Sequence, residues 1–228
     1  MHDFSATDPR VQIAATDMQA YELTASVITK IISDSIDKRQ IANVIVAAGS
    51  AIIQTLSCLS IDATDWQKVN WCLADERCVA KNNPLLNQTQ IESVLNKTLG
   101  KTYGTTVAPD TQVEPEKAAA DYASRIASID MFDFCLLGMG NDGHIASLLP
   151  EHLALTSDKL CCVVTDSPNP PAERITLTLK TFSQITNRFI VTTGAGKTAA
   201  VRRFIANPKT PVRLFDPTAI FADRAAYE

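Results

Sequence analysis

Residues 132–144 read FDFCLLGMGNDGH. The first half is an apolar run too short for a helix, so it predicts a buried strand over 132–137. The second half breaks at once into Gly138, Gly140 and Gly143 and ends on Asp142 and His144. Open α/β sheets hold their ligands at such places, where the carboxyl end of a strand gives way to a loop.

The same pattern recurs on both sides. NVIVAA (43–48) runs into Gly49 and Ser50, VNWCLA (69–74) into Asp75, Glu76 and Arg77, and the run at 189–192 into TTGAGK. Helices are expected in the intervals, over 16–36, 51–59, 85–95 and 116–129, with Pro115 near the start of the last. Another is expected to begin at Gly196 or Lys197. Residues 160–165 and 174–179 read as strands around a rigid SPNPPAE loop, and 219–222 as a last strand leading into Asp223. This alternation predicts an α/β fold, a largely parallel sheet with helices on both faces. The segments AAGS, ADER, GMGNDGH and TTGAGK are then expected at one edge of the sheet. No composition shift marks a linker, so residues 1–228 are read as one domain.

The chain is 46% hydrophobic and 20% charged, which argues against wholesale disorder or a coiled coil. A net charge of −4 disfavours a nucleic-acid partner, yet a few local cations can still hold an anionic substrate. MHDFSATDPR shows no secretory pattern and no apolar run is long enough to span a bilayer, so a cytoplasmic protein without a membrane partner is expected. Six cysteines without C-x-x-C spacing, mostly inside apolar runs, predict buried reduced thiols. Neither H-E-x-x-H nor a Cys/His cluster is present, and no metal is expected.

Gly138, Gly140 and Gly143 match the dinucleotide fingerprint, and Asp166 ends a later strand where a ribose-binding acid would sit. Pro150 opposes this, because it falls in mid-course of the helix that such a site needs. GAGKT (194–198) resembles the end of a P-loop, but Val191 stands where the first glycine is required. What survives is a helix start and Lys197, both suited to phosphate. His144 is the candidate general base, with Asp142 beside it, since His2 reads as part of a tail and His152 lies in a polar stretch. Arg77 and Arg174 offer guanidinium groups that match a phosphate with paired hydrogen bonds. Taken singly, the Asp75–Arg77 segment also reads as a charged turn and Lys197 as a solvated lysine.

WCLADERCV (71–79), LLGMGNDGHIASLLP (136–150) and SPNPPAERITLTL (167–179), in that order, resemble the 6-phosphogluconolactonase family, within the group that includes glucosamine-6-phosphate deaminases. The resemblance covers about 44–223. It implies a Rossmann-like fold and hydrolysis of the sugar phosphate lactone 6-phospho-D-glucono-1,5-lactone to 6-phosphogluconate, the second step of the oxidative pentose phosphate pathway. No metal or organic cofactor is implied. The family's phosphate loop falls on Ala48, Gly49 and Ser50, and its DER segment on Asp75, Glu76 and Arg77. Its Ser-Asn pair falls on Leu86 and Asn87, its catalytic loop on 138–147, and its late arginine and lysine on Arg174 and Lys197. Ala48, the Ala51-Ile52 pair and Leu86 depart from the family's glycine, Thr-Pro and serine.

Deaminases read GHIAFNEP where this chain reads GHIASLLP, so Leu149 occupies the place of their glutamate, and they read DEY in place of Asp75, Glu76 and Arg77. A third reading is a sugar-phosphate-binding module without catalysis. On the lactonase reading, one nitrogen of His144 takes a proton from water, with Nδ1 and Nε2 both open, and Asp142 orients the ring. Amides around Gly138 and Gly140 meet the oxyanion. Arg77, Arg174 and Lys197, with Gly49 and Ser50, anchor the phosphate. Asp75 binds hydroxyls, orients water or fixes its loop, and Glu76 and Asn87 are grouped with the substrate-binding residues. Ser147 is read as structural. The oligomeric state is open, with a monomer favoured.

Overall fold

The central strands alternate between two packed faces, as the pleat requires. The protein is described here by a computed structural model over residues 8–228, so His2 and its expected tail lie outside the described residues. The elements of the first half are β1 (Val11–Ala14), α1 (Asp17–Arg39), β2 (Ala42–Val46), α2 (Ser50–Ser57), β3 (Val69–Leu73), β4 (Asp75–Arg77), α3 (Asn87–Leu99), β5 (Thr105–Val107) and α4 (Pro115–Ala127). The second half adds β6 (Phe134–Leu137), β7 (Cys161–Val164), β8 (Arg174–Leu177), α5 (Leu179–Phe182), β9 (Arg188–Thr192), α6 (Thr198–Ala206), α7 (Pro211–Phe215), β10 (Ala219–Asp223) and α8 (Arg224–Tyr227).

Seven strands form one sheet in the order β1-β10-β9-β6-β2-β3-β5, and every neighbouring pair is parallel. The chain works outward from β2 to β5, returns to β6 on the other side of β2, and works outward again. Strand order therefore reverses between β2 and β6, the switch point at which such sheets open a crevice for ligands. Val44, Trp71 and Phe134 point to one face, where α1, α2 and α3 pack through Ile28, Ile32, Ile52, Leu56, Ile91 and Leu95. Ile45, Cys72 and Cys135 point to the other, against Tyr122 of α4, Phe204 of α6 and Phe215 of α7. α1 begins where Thr16 accepts the backbone N–H of Gln19, a cap of the expected kind.

Three features differ from the sequence reading. First, helices do not cover the second face alone: β4, β8 and β7 form an antiparallel sheet whose Ile175, Leu177 and Val164 pack there. The Asp75–Arg77 segment is thus a strand and not a turn. A parallel pair needs a crossover of roughly a dozen residues, so the SPNPPAE loop leaves β7 and β8 only the antiparallel arrangement. The Leu177 N–H, donating to the Ala74 carbonyl at 2.8 Å, fastens this sheet to the end of β3. Second, β1 is a strand with too little apolar signal to read; its place comes from pairing with β10. Third, a 3₁₀ turn over Ala195–Lys197 delays the following helix to Thr198.

All six cysteines are unpaired, and Cys72, Cys135 and Cys161 are buried. Burial pushes the Cys72 and Cys161 thiols up to about 12, which leaves them unreactive. Among the described residues, no helix is long and apolar enough to cross a membrane.

Candidate active site

A cavity of ≈ 480 Å³ lies at the switch point and takes its walls from the loops after β2, β3, β6 and β9. All four segments expected at one sheet edge contribute to it. Gly49, Ser50, Asp75, Arg77, Gly138, Gly140, Asp142, His144, Arg174 and Lys197 line it, together with Asn169 and Thr192.

His144 owes its place to Gly140. A Cβ on Gly140 would sit 2.1 Å from His144 Nδ1, so a side chain there would displace the ring. Asp142 Oδ1 accepts both the His144 backbone N–H, at 3.1 Å, and the ring at Nδ1, at 2.6 Å. Burial works to raise the Asp142 carboxyl, but the His144 N–H and imidazole outweigh it and hold the group below the usual carboxylate range. A carboxylate only accepts, so Nδ1 carries the hydrogen and Nε2 is the basic nitrogen. Of the two nitrogens left open by the sequence, Nε2 is the one without a hydrogen-bond partner among the described residues. The Gly140 N–H donates to the His144 carbonyl at 2.8 Å. It is therefore committed and not free to meet an oxyanion, contrary to expectation.

The cations converge from two sheets. The register of β4 on β8 sets Arg77 directly opposite Arg174, and like charges so placed repel. Two backbone carbonyls hold the Arg174 guanidinium, Pro171 at 3.1 Å and Asn169 at 2.7 Å. Arg77 donates to the Leu85 carbonyl at 2.7 Å, while its Nε is buried without a partner among the described residues. Burial, opposed by Asp75 and reinforced by Arg77, pulls Arg174 below its ordinary value. Lys197 reaches the Met139 carbonyl at 2.8 Å; burial lowers its pKa, with Asp142 opposing. Gly49, at φ 148°, opens α2 in a conformation that favours glycine.

Two expected contacts are not made. Glu76 and Asn87 lie outside the cavity lining. The alternation of β4 sends Asp75 and Arg77 to the cavity and Glu76 to the opposite side. There the Glu76 carboxylate accepts the backbone N–H groups of Arg77 and Asn87, each at 2.7 Å, and Gln88, at 2.8 Å. Glu76 thereby caps α3, whose own N-cap residue, Leu86, has no side-chain acceptor. Leu86 is buried outside the lining, so its replacement of a serine takes nothing from the cavity wall. Asn87 donates to Asp75, not to the cavity. Asp166, weighed as a ribose acid, pairs instead with His152 at 2.9 Å. The contact that sequence reading missed is Ser147 Oγ donating to Asp75 Oδ2 at 2.6 Å. A lone hydroxyl in the apolar run IASLLP was its only signal.

Residues 15–224 match the family described as glucosamine-6-phosphate isomerases/6-phosphogluconolactonase. Among curated proteins, the chain is 32% identical over 220 residues to 6-phosphogluconolactonase 3, chloroplastic, from Arabidopsis thaliana, covering 86% of this chain and 67% of that one. The share falls to between 57% and 63% of the length of matched Oryza sativa relatives. Among solved structures, a 6-phosphogluconolactonase from Thermotoga maritima superposes with a TM-score of 0.85 at 22% identity, covering 94% of this chain and 99% of that one. A monomeric glucosamine-6-phosphate deaminase superposes with a TM-score of 0.78 at 18% identity, covering 95% and 98%. The fold is therefore shared by a solved lactonase and a solved deaminase.

Proposed function

Because the chain belongs to the family of glucosamine-6-phosphate isomerases and 6-phosphogluconolactonases, we propose that it hydrolyses 6-phospho-D-glucono-1,5-lactone to 6-phosphogluconate. The observation that carries this reading is a basic His144 Nε2 in the same cavity as two arginines set face to face. Opposed guanidinium groups call for an anion between them, and a phosphate supplies it.

In the reaction, His144 Nε2 takes a proton from water as the oxygen attacks the lactone carbonyl carbon. Asp142 holds the ring by Nδ1 and stabilises the imidazolium that forms. The charge of the tetrahedral oxyanion is left to the backbone amides around Gly138. Collapse breaks the bond to the ring oxygen, which receives the proton from Nε2. Arg77, Arg174 and Lys197, with Gly49 and Ser50, hold the remote phosphate and so keep the carbonyl in register with the water. Leu149 packs against the apolar core and has no proton to give, which disfavours the deaminase reading.

The test is proton release from freshly prepared lactone, measured above its spontaneous hydrolysis. Acceleration that a chelator leaves unchanged is expected, since the base is an imidazole. No ammonia should form from glucosamine 6-phosphate; its release would move the assignment to the deaminase branch. Binding of 6-phosphogluconate without turnover of either substrate would make the protein a sugar-phosphate-binding module. The described residues are proposed to work as one domain, supported by a single seven-stranded sheet packed on both faces, and a monomer is proposed with it. Its unpaired thiols support a cytoplasmic location.

A further inference from the structure

Asp75 is the one acid in the cavity wall whose two oxygens are both held from beneath. Asn87 Nδ2 donates to Oδ1 at 3.1 Å and Ser147 Oγ donates to Oδ2 at 2.6 Å. Asp75, Asn87 and Ser147 are all buried, so these bonds form away from competing water.

The protein goes out of its way to make both. Asn87 places its amide nitrogen on Asp75 while its own Oδ1 is buried with no partner among the described residues, a costly arrangement wherever it occurs. Ser147 lies three residues after the base His144. Between them the chain makes a tight turn, with the Leu148 N–H donating to the Ile145 carbonyl at 2.8 Å. Ala146 takes φ 47° in that turn, a left-handed conformation that a non-glycine residue adopts only when its surroundings hold it there. The turn brings the serine back beneath the cavity, where its N–H meets Thr176 Oγ1 of β8 at 3.4 Å.

We propose that Ser147 is a positioning residue of the hydrolysis: with Asn87 it fixes the Asp75 carboxylate in register with His144, so that the free acceptor positions of Asp75 take a sugar hydroxyl and aim the lactone carbonyl at the attacking water. A carboxylate offers about four acceptor positions, so two remain for substrate. The His144–Ser147 turn ties the base and the orienting acid to one short segment, and a shift in either disturbs both. This rests on the lactonase reading above. The phosphate anchors are untouched by Ser147, so its loss should be felt in the aim of the lactone more than in its capture.

The experiment is a double-mutant cycle of Ser147→Ala and Asp75→Ala, read in lactone kinetics and in thermal unfolding. Ser147→Ala is expected to lower kcat about tenfold with KM changed less than about twofold. In the Asp75→Ala background the same substitution should cost nothing further in kcat. Asn87→Ala, expected to give the same pattern, replaces the serine variant if that one does not fold. An unchanged kcat, or equal losses in both backgrounds, would overturn the proposal. If the unaltered protein does not hydrolyse the lactone, the functional reading fails, and the clamp is then read from unfolding midpoints. There, a penalty for Ser147→Ala that vanishes without Asp75 supports it, and additive penalties overturn it.

Discussion

On the proposed mechanism, a single hydrogen bond selects the base. His144 is useful because Asp142 occupies Nδ1, which leaves Nε2 with the lone pair. Replacement by alanine should therefore lower kcat by roughly 10²–10⁴, the usual contribution of a positioned general base. Calorimetric titration of that variant with 6-phosphogluconate should still show binding, because Arg77, Arg174 and Lys197 remain. Turnover close to that of the unaltered protein would remove His144 from the mechanism. This pair was legible because its members are two residues apart in the chain. The bond between Ser147 and Asp75 was not, since it joins residues 72 positions apart and exists only once β3 and β6 flank β2. Gly140 was half legible. A glycine there is visible in the sequence, but the direction of its N–H is decided by where His144 places its carbonyl.

Among the elements, the join between β4 and α3 carries a pH signature. Burial pushes Glu76 up to about 7, opposed by the N–H groups of Gln88, Arg77 and Asn87 and reinforced by Asp75. The folded protein then binds this proton more tightly than the unfolded chain does. Its contribution to stability is complete below about pH 4.5 and declines as pH rises to about 7, by at most about 3 kcal/mol. Above that the contribution is constant. Urea unfolding of the unaltered protein and of Glu76→Gln, compared from pH 4.5 to 8, should show the difference between them falling with pH up to about 7. Parallel stability curves would mean that Glu76 does not titrate in this window. The sequence placed Glu76 in the right segment and gave it the wrong partner. A three-residue strand has no visible period, and the alternation that turns Glu76 away from the cavity appears only when β8 pairs with β4.

For the molecule as a whole, net charge is a poor guide to what it binds. The chain carries −4 overall, yet three of its cations line one cavity. A ligand that enters it stabilises the folded state by mass action. 6-Phosphogluconate at about 100 times its Kd should add about 2.7 kcal/mol, or a rise in Tm of about 5–10 °C for a chain of this length. Scanning calorimetry at a fixed ligand concentration should show that rise shrinking with added salt, which screens the anchoring charges. No shift would place the ligand elsewhere. The parallel sheet was legible because each central strand is a short apolar run that gives way to glycine or charge. The second sheet was not, because β4 is wholly charged, β7 and β8 carry the same apolar signal as the parallel strands, and only the length of the loop between those two tells that they turn back.

At one margin of the large sheet, the four residues of β1 cover a strand, β10, that is buried along its whole length. β1 itself is half in solvent and held chiefly by main-chain pairing. Proteolysis that clips it away would leave the cavity, walled from β9 inward, intact but bare a row of unpaired amides and carbonyls on Ala219–Asp223. Such an edge recruits other chains. The first consequence of losing those residues would then be self-association of a protein whose cavity is still whole.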